Sequence, residues 1–124
     1  MTDPDCLFCK IVAGDIPAAK VLETDDVLVF RDIAPQAPVH LLAVPKRHIP
    51  SMADMGPDDL NLLGDLIGAA NEAAGASGLG ERGYRMASNV GEEAGQTVLH
   101  LHLHIMGGAP LGPLAMTDHL DRTP

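Results

Sequence analysis

The sequence has no tryptophan, one tyrosine and two phenylalanines in 124 residues. Aromatic packing therefore cannot build the core, and aliphatic side chains and methionine must fill it. No apolar run approaches the roughly 18 residues that a membrane-spanning helix needs. The start, Met1-Thr2-Asp3-Pro4-Asp5, is acidic and lacks the basic and apolar regions of a secretory signal. A cytoplasmic location is the expectation. Basic residues are scarce: eight Lys and Arg stand against 17 Asp and Glu, for a net charge of -9. That balance argues against coating a nucleic-acid backbone. It also provides no long-range attraction for an anion, so any bound phosphate must be held by local donors. The only cysteines, Cys6 and Cys9, are too few for a disulfide framework. In a reducing compartment they suit metal binding better than pairing.

What is present is one domain's worth of chain. There is no internal repeat or long linker, so a single domain over residues 1–124 is expected, with a core over 6–108 and a surface tail over 109–124. Cys6 to Ala13 reads as a short helix or turn closed by Gly14. Val21–Glu23 and Val27–Arg31 read as strands around the turn Thr24-Asp25-Asp26. Val39–Val44 is a third strand, stopped by Pro45. The longest helix should start near Pro57, with Gly56 as its cap and Asp58 and Asp59 in the first turn. Leu60, Leu63, Ile67, Ala70 and Ala74 recur at helical spacing as its apolar face, and Gly75, Gly78 and Gly80 end it. Tyr84–Asn89 and Val98–Met106 read as two further strands around a glycine-bearing loop. Strands in hairpins with one main helix make an α+β domain on an antiparallel sheet.

The last strand carries His100, His102 and His104. Alternate residues of a strand share a face, so three imidazoles should stand in a row at intervals of about 7 Å. Leu101, Leu103 and Ile105 then face the core. The row suits nucleophilic chemistry on phosphorus, because a neutral imidazole attacks and leaves well. A His-x-His pair is also a metal-ligand spacing, which leaves open a metal hydrolase that uses the row directly.

The run His100-Leu101-His102-Leu103-His104, followed by Ile105 and Met106, resembles the signature of the histidine triad family. Cys6-Leu7-Phe8-Cys9-Lys10-Ile11-Val12 and Gly14-Asp15-Ile16-Pro17-Ala18 are similar to the family's N-terminal segment. Phe30 through His40 looks like its nucleoside-binding loop. Pro45-Lys46-Arg47-His48 and the stretch from Asn89 through Gly95-Gln96-Thr97-Val98 match as well. The resemblance spans about residues 6–108 and is greatest to the nucleotide-binding branch. It implies a half-open five-stranded antiparallel sheet with one long and one short helix, assembled as a homodimer.

The resemblance also implies roles. His102 would attack the α-phosphorus of a purine nucleoside monophosphate ester or phosphoramidate, forming a nucleotidyl-histidine that water releases. His104 would contact phosphoryl oxygens or the leaving group, and His40 would support the row. Gly95, Gln96 and Thr97, with Asn89, would hold the phosphate. Asp32 would take the ribose hydroxyls, beside Ile33. Phe8, Ile11, Ile16 and Leu42 match positions that line the base pocket, although plain core packing explains apolar residues equally well. Cys6, Cys9, His48 and His100 match a structural zinc site with no open position; no organic cofactor is implied. A redox role for Cys6-x-x-Cys9 lacks the preceding strand that such motifs follow.

Two departures stand out: Thr97 replaces a serine, and the branch's C-terminal tryptophan has no counterpart. The transferase branch has Gln where His104 stands, so histidine there favours hydrolysis. A dinucleoside polyphosphate hydrolase, and a nucleotide-binding module with little turnover, are the competing functions.

Overall fold

The computed structural model describes residues 3–114. Its elements run α1 (Leu7–Ala13), β1 (Lys20–Glu23), β2 (Val27–Arg31), β3 (Val39–Pro45), two 3₁₀ turns, α2 (Leu60–Ala76), β4 (Tyr84–Ala87) and β5 (Leu103–Gly107). The five strands form one antiparallel sheet in the order β1-β2-β3-β5-β4. This is the α+β fold that the strand pattern and the resemblance imply. Among the described residues, no helix is long and apolar enough to cross a membrane.

The sheet has a packed layer on each face. Val27, Val29, Leu41, Ala43, Leu103 and Ile105 pack against α2. Leu28, Phe30, Leu42 and Val44 pack against α1 through Phe8, Cys9 and Ile11. Burial on both faces explains why β2 and β3 read as continuous apolar runs rather than alternating ones. Cys6 caps α1, with its sulfur accepting from the Cys9 N–H, and Gly14 ends the helix at φ 84°. Glycine reaches that left-handed conformation without a Cβ clash.

Three expectations need correction. First, the buried face of α2 is Leu66, Ala69, Ala70, Ala73 and Ala74. Leu60 is 66% exposed and Ile67 42%. The alanines allow close approach to the sheet, so with Leu66 they set the helix's rotation and leave Leu60 and Ile67 at its rim. The Gly56–Asp59 start is a 3₁₀ turn leading into the helix, and Gly75 lies within α2 rather than beyond it.

Second, the last strand starts at Leu103, not Val98. The register sets Leu103 opposite Ala43 and Ile105 opposite Leu41, so Leu101 would fall opposite Pro45. Proline has no N–H to donate. The Leu101 carbonyl is thus left without its ladder donor, the Pro45 carbonyl accepts from His100 Nε2, and the Leu101 N–H donates to the Ile49 carbonyl at 2.6 Å. Alternation nonetheless persists through this unpaired stretch: Leu101 joins the α2-side core, while His100 and His102 stay on the other side. Third, β4 ends at Ala87 rather than Asn89, and β3 runs through Pro45. Of the expected tail, residues 109–114 are mainly exposed; 115–124 lie outside the described residues.

Candidate functional site

The sheet's register builds the site. Phe30, Leu42, His104 and Ala87 lie in one cross-strand row, and His40, Met106 and Arg85 in the next. His102 enters from the extended stretch before β5. Its ring centroid lies 5.0 Å from that of His104 and 5.1 Å from that of Phe8, whose edge meets it at 80°.

Hydrogen bonds assign the tautomers. The Nδ1 of His102 lies 2.8 Å from the His100 carbonyl oxygen. A carbonyl only accepts, so Nδ1 carries the proton and Nε2 holds a free lone pair. The Gln36 N–H donates to His40 Nδ1 at 3.1 Å. His40 Nε2 therefore carries that ring's proton and donates to His104 Nδ1 at 2.9 Å. That leaves the proton of His104 on Nε2. A carboxylate oxygen of Asp32 lies 3.5 Å from His40 Nε2, and its other oxygen accepts from the Ala34 N–H, making a tight turn.

Asp32, His40 and His104 also sit close enough to hold a metal. The Gln36 bond argues against it, because a neutral His40 cannot accept at Nδ1 and ligate through Nε2. Burial, then the neighbouring His102 and His40 rings, lower the pKa of His104 to about 4. Burial likewise holds His40 below its ordinary value, opposed by Asp32. Both rings are neutral at pH 7.

A cavity of about 270 Å³ opens in front of His102 and His104. Phe8, Ile11, Ile16, Phe30 and Leu42 line it, with Asp32, Ile33 and Thr97 at its edge. Sequence reasoning had placed Phe8, Ile11, Ile16, Asp32, Ile33 and Leu42 together, and the structure does the same. Ile33 is 98% exposed, a rim residue rather than a wall. A second, polar cavity of about 630 Å³ shares Asp32, Thr97, His102 and His104 with the first, and Asn89 and Gly95 line only this one.

The loop's donors are partly used. The Gly95 N–H bonds to Glu92 O and the Gln96 N–H to Gly91 O. The Asn89 amide nitrogen donates to Ala94 O, and the Gln96 side chain ties the loop to Pro50 and Val98. Thr97 borders both cavities. Three main-chain groups escaped the sequence reading, the His100 carbonyl, the Pro45 carbonyl and the Gln36 N–H, because backbone atoms leave no residue-type signal. Arg85 was also missed; its only signal is the strand register.

The four remaining predicted residues form a separate cluster behind His102. Cys6, Cys9, His48 and His100 offer two sulfurs and two nitrogens within 4.8 Å of one another. His100 Nε2 donates to the Pro45 carbonyl at 2.8 Å, which turns the lone pair of its Nδ1 toward the cluster. Nδ1 lies 3.2 Å from Cys6 Sγ, 3.5 Å from Cys9 Sγ and 3.2 Å from His48 Nδ1. Zinc–sulfur and zinc–nitrogen bonds in a tetrahedron put donors about 3.3–3.8 Å apart, so this donor set fits a metal ion. N–H groups of Cys9 and Asp3 point at Cys6 Sγ and Cys9 Sγ respectively. Such bonds favour thiolates, but without a metal, burial outweighs them and, with the neighbouring Cys9 thiol, holds the Cys6 thiol pKa above its ordinary value.

A family profile described as "Scavenger mRNA decapping enzyme C-term binding" matches residues 5–114. A HIT-like protein of Synechocystis is 49% identical over 106 residues, covering 86% of this chain and 92% of that protein. The purine nucleoside phosphoramidase of Escherichia coli K12 is 41% identical over 110 residues, 89% of this chain and 92% of its own. The solved structure of a HIT family hydrolase from Clostridium thermocellum superposes with a TM-score of 0.89 at 41% identity, covering 93% of this chain and 100% of that one. With sequence, sheet order and matches over nearly its whole length in agreement, the chain belongs to the histidine triad (HIT) family and stands among its hydrolases.

Proposed function

We propose that the protein hydrolyses purine nucleoside phosphoramidates, or related nucleotide esters, at the α-phosphorus, with His102 as nucleophile. The carrying observation is the His102 tautomer: Nδ1 donates to the His100 carbonyl, leaving the Nε2 lone pair free beside a nucleoside-sized apolar cavity. The phosphoramidase activity named for the Escherichia coli relative supports the same substrate class.

The base lies between Phe8, Ile11, Ile16 and Leu42, and the free oxygen of Asp32 accepts from ribose hydroxyls. His102 Nε2 attacks phosphorus, the P–N bond to the leaving amine breaks, and the amine takes up one proton. The Nδ1–H bond to a carbonyl steadies the cationic ring of the resulting nucleotidyl-histidine. His104, neutral at pH 7 with its proton on Nε2, donates to a phosphoryl oxygen without placing a second cation in the site. Thr97 offers its hydroxyl to the same group. Donors of this kind are worth about 2.7–4 kcal/mol each in the transition state. Water then attacks phosphorus, the bond to His102 breaks, and one proton is released. The proton balance closes over the two steps.

Cys6, Cys9, His48 and His100 would hold a zinc ion. When bound, the ion supplies a cross-link between α1 and the histidine stretch, with four protein ligands and no open position. Its role here is structural. The test is His102→Asn, assayed on an adenosine phosphoramidate: kcat falls by about 10³-fold or more while the thermal midpoint stays. Undiminished turnover contradicts the reading.

A further inference from the structure

The two cavities share Asp32, Thr97, His102 and His104. A phosphorus atom facing His102 Nε2 therefore sits at their junction. In a displacement at phosphorus, the departing group leaves opposite the attacking nitrogen. With the nucleoside in the apolar cavity, the departing group projects into the polar one.

Arg85 is the only Lys or Arg that lines that polar cavity among the described residues. β4 places it opposite Met106, which is itself opposite His40, so Arg85 shares a sheet face with His40 and His104. One of its N–H groups donates to the Gly112 carbonyl at 2.6 Å. No carboxylate lies within 4.0 Å of it among the described residues, whereas Lys20, Lys46 and Arg47 each pair with an acid. A guanidinium keeps its charge at every ordinary pH and carries five N–H donors. The Gly112 bond therefore orients the fork without neutralising it. Among the described residues its remaining donors meet no acceptor, and such a fork binds a planar or tetrahedral oxyanion bidentately. In a chain of net charge -9, this is a local exception to the acidic surface.

We propose that Arg85 determines specificity for the leaving group, and that the polar cavity selects leaving groups bearing an oxyanion, either a carboxylate or a phosphate. The proposal rests on the reading of His102 as the nucleophile toward a nucleotide. For a carboxylated amine, the P–N bond breaks and the amine departs with one added proton. For a phosphate leaving group, the P–O bond breaks and the oxyanion departs as it is. In both cases the nucleotide passes to His102 and then to water, so no other reactant is needed.

The experiment compares kcat/KM for three substrates: the adenosine 5′-phosphoramidate of β-alanine, that of neutral β-alaninamide, and an adenosine polyphosphate. Wild type, Arg85→Gln and Arg85→Lys are assayed alike, with thermal midpoints as the folding control. Wild type prefers the carboxylated over the neutral phosphoramidate on the order of tenfold or more, the effect of one charge-assisted hydrogen bond. That ratio falls toward one in Arg85→Gln and is largely kept in Arg85→Lys. The polyphosphate, compared with the carboxylated amide, shows which oxyanion the cavity takes. A ratio near one in wild type, or one unchanged by Arg85→Gln, overturns the proposal. So does an equal loss on both phosphoramidates, which makes Arg85 a strut for Gly112. Cleavage of both phosphoramidates at equal rates refutes the selectivity alone, whereas cleavage of none of the three substrates refutes the nucleotidyl-transfer reading with it.

Discussion

Acidification tests the environment of His104 directly. Its pKa is lowered to about 4, chiefly by burial, against an ordinary histidine value near 6.5. Between those values the unfolded chain binds a proton that the folded chain refuses. Stability is therefore fully present above about pH 6.5 and is lost as the pH falls toward 4. From the two values, His104 alone accounts for about 2 kcal/mol lost by pH 5 and about 3 kcal/mol by pH 4. His40 is lowered too, chiefly by burial, so the total loss has the same sign and is larger. The perturbation that isolates His104 is His104→Gln, which cannot titrate. Urea unfolding of wild type and variant at pH 7, 6, 5 and 4.5 measures both slopes. The wild type should lose about 2 kcal/mol more than the variant between pH 7 and pH 5. Equal slopes, or a wild type whose stability is flat over that range, would refute the argument that burial keeps this ring neutral.

Two other perturbations separate the zinc cluster from the nucleotide site. Chelation should lower the thermal midpoint by on the order of 10 °C, the loss expected for a site held at a hundredfold over its Kd; Cys9→Ser should show no zinc-dependent midpoint, checked by calorimetry with and without added zinc. Asp32→Asn keeps an oxygen for the Ala34 turn but loses the carboxylate for ribose, so KM for the nucleotide should rise about tenfold with little change in urea midpoint.

Much of this site was legible because side chains carry it. The Gly14 stop marks the end of α1 in residue type alone, and the His-x-His-x-His run marks the candidate reacting groups even where no ladder forms. The extent of the last strand was misread because alternation at His100–His102 signals an extended chain, whereas a strand also needs a partner with an N–H, which Pro45 lacks. The rotation of α2 was misread because leucine and isoleucine were weighted over alanine, yet the close approach of helix to sheet favours the small residue. The tautomers of His102, His40 and His100 depend on the His100 carbonyl, the Gln36 N–H and the Pro45 carbonyl. Every residue has such groups, so only the folded chain reveals which ones face a ring. The loop expected to hold phosphate, Gly95–Thr97 with Asn89, has two of its N–H groups turned inward, which shifts the weight of that expectation onto Thr97 and His104.

The central claim is that His102 takes the nucleotide covalently before water does. Stereochemistry at phosphorus tests this without requiring the intermediate to accumulate. A P-chiral adenosine phosphorothioamidate, turned over in water enriched in oxygen-18, should give product with retained configuration, because two displacements each invert the phosphorus. Inversion would mean that water attacks directly, and would contradict the role assigned to His102.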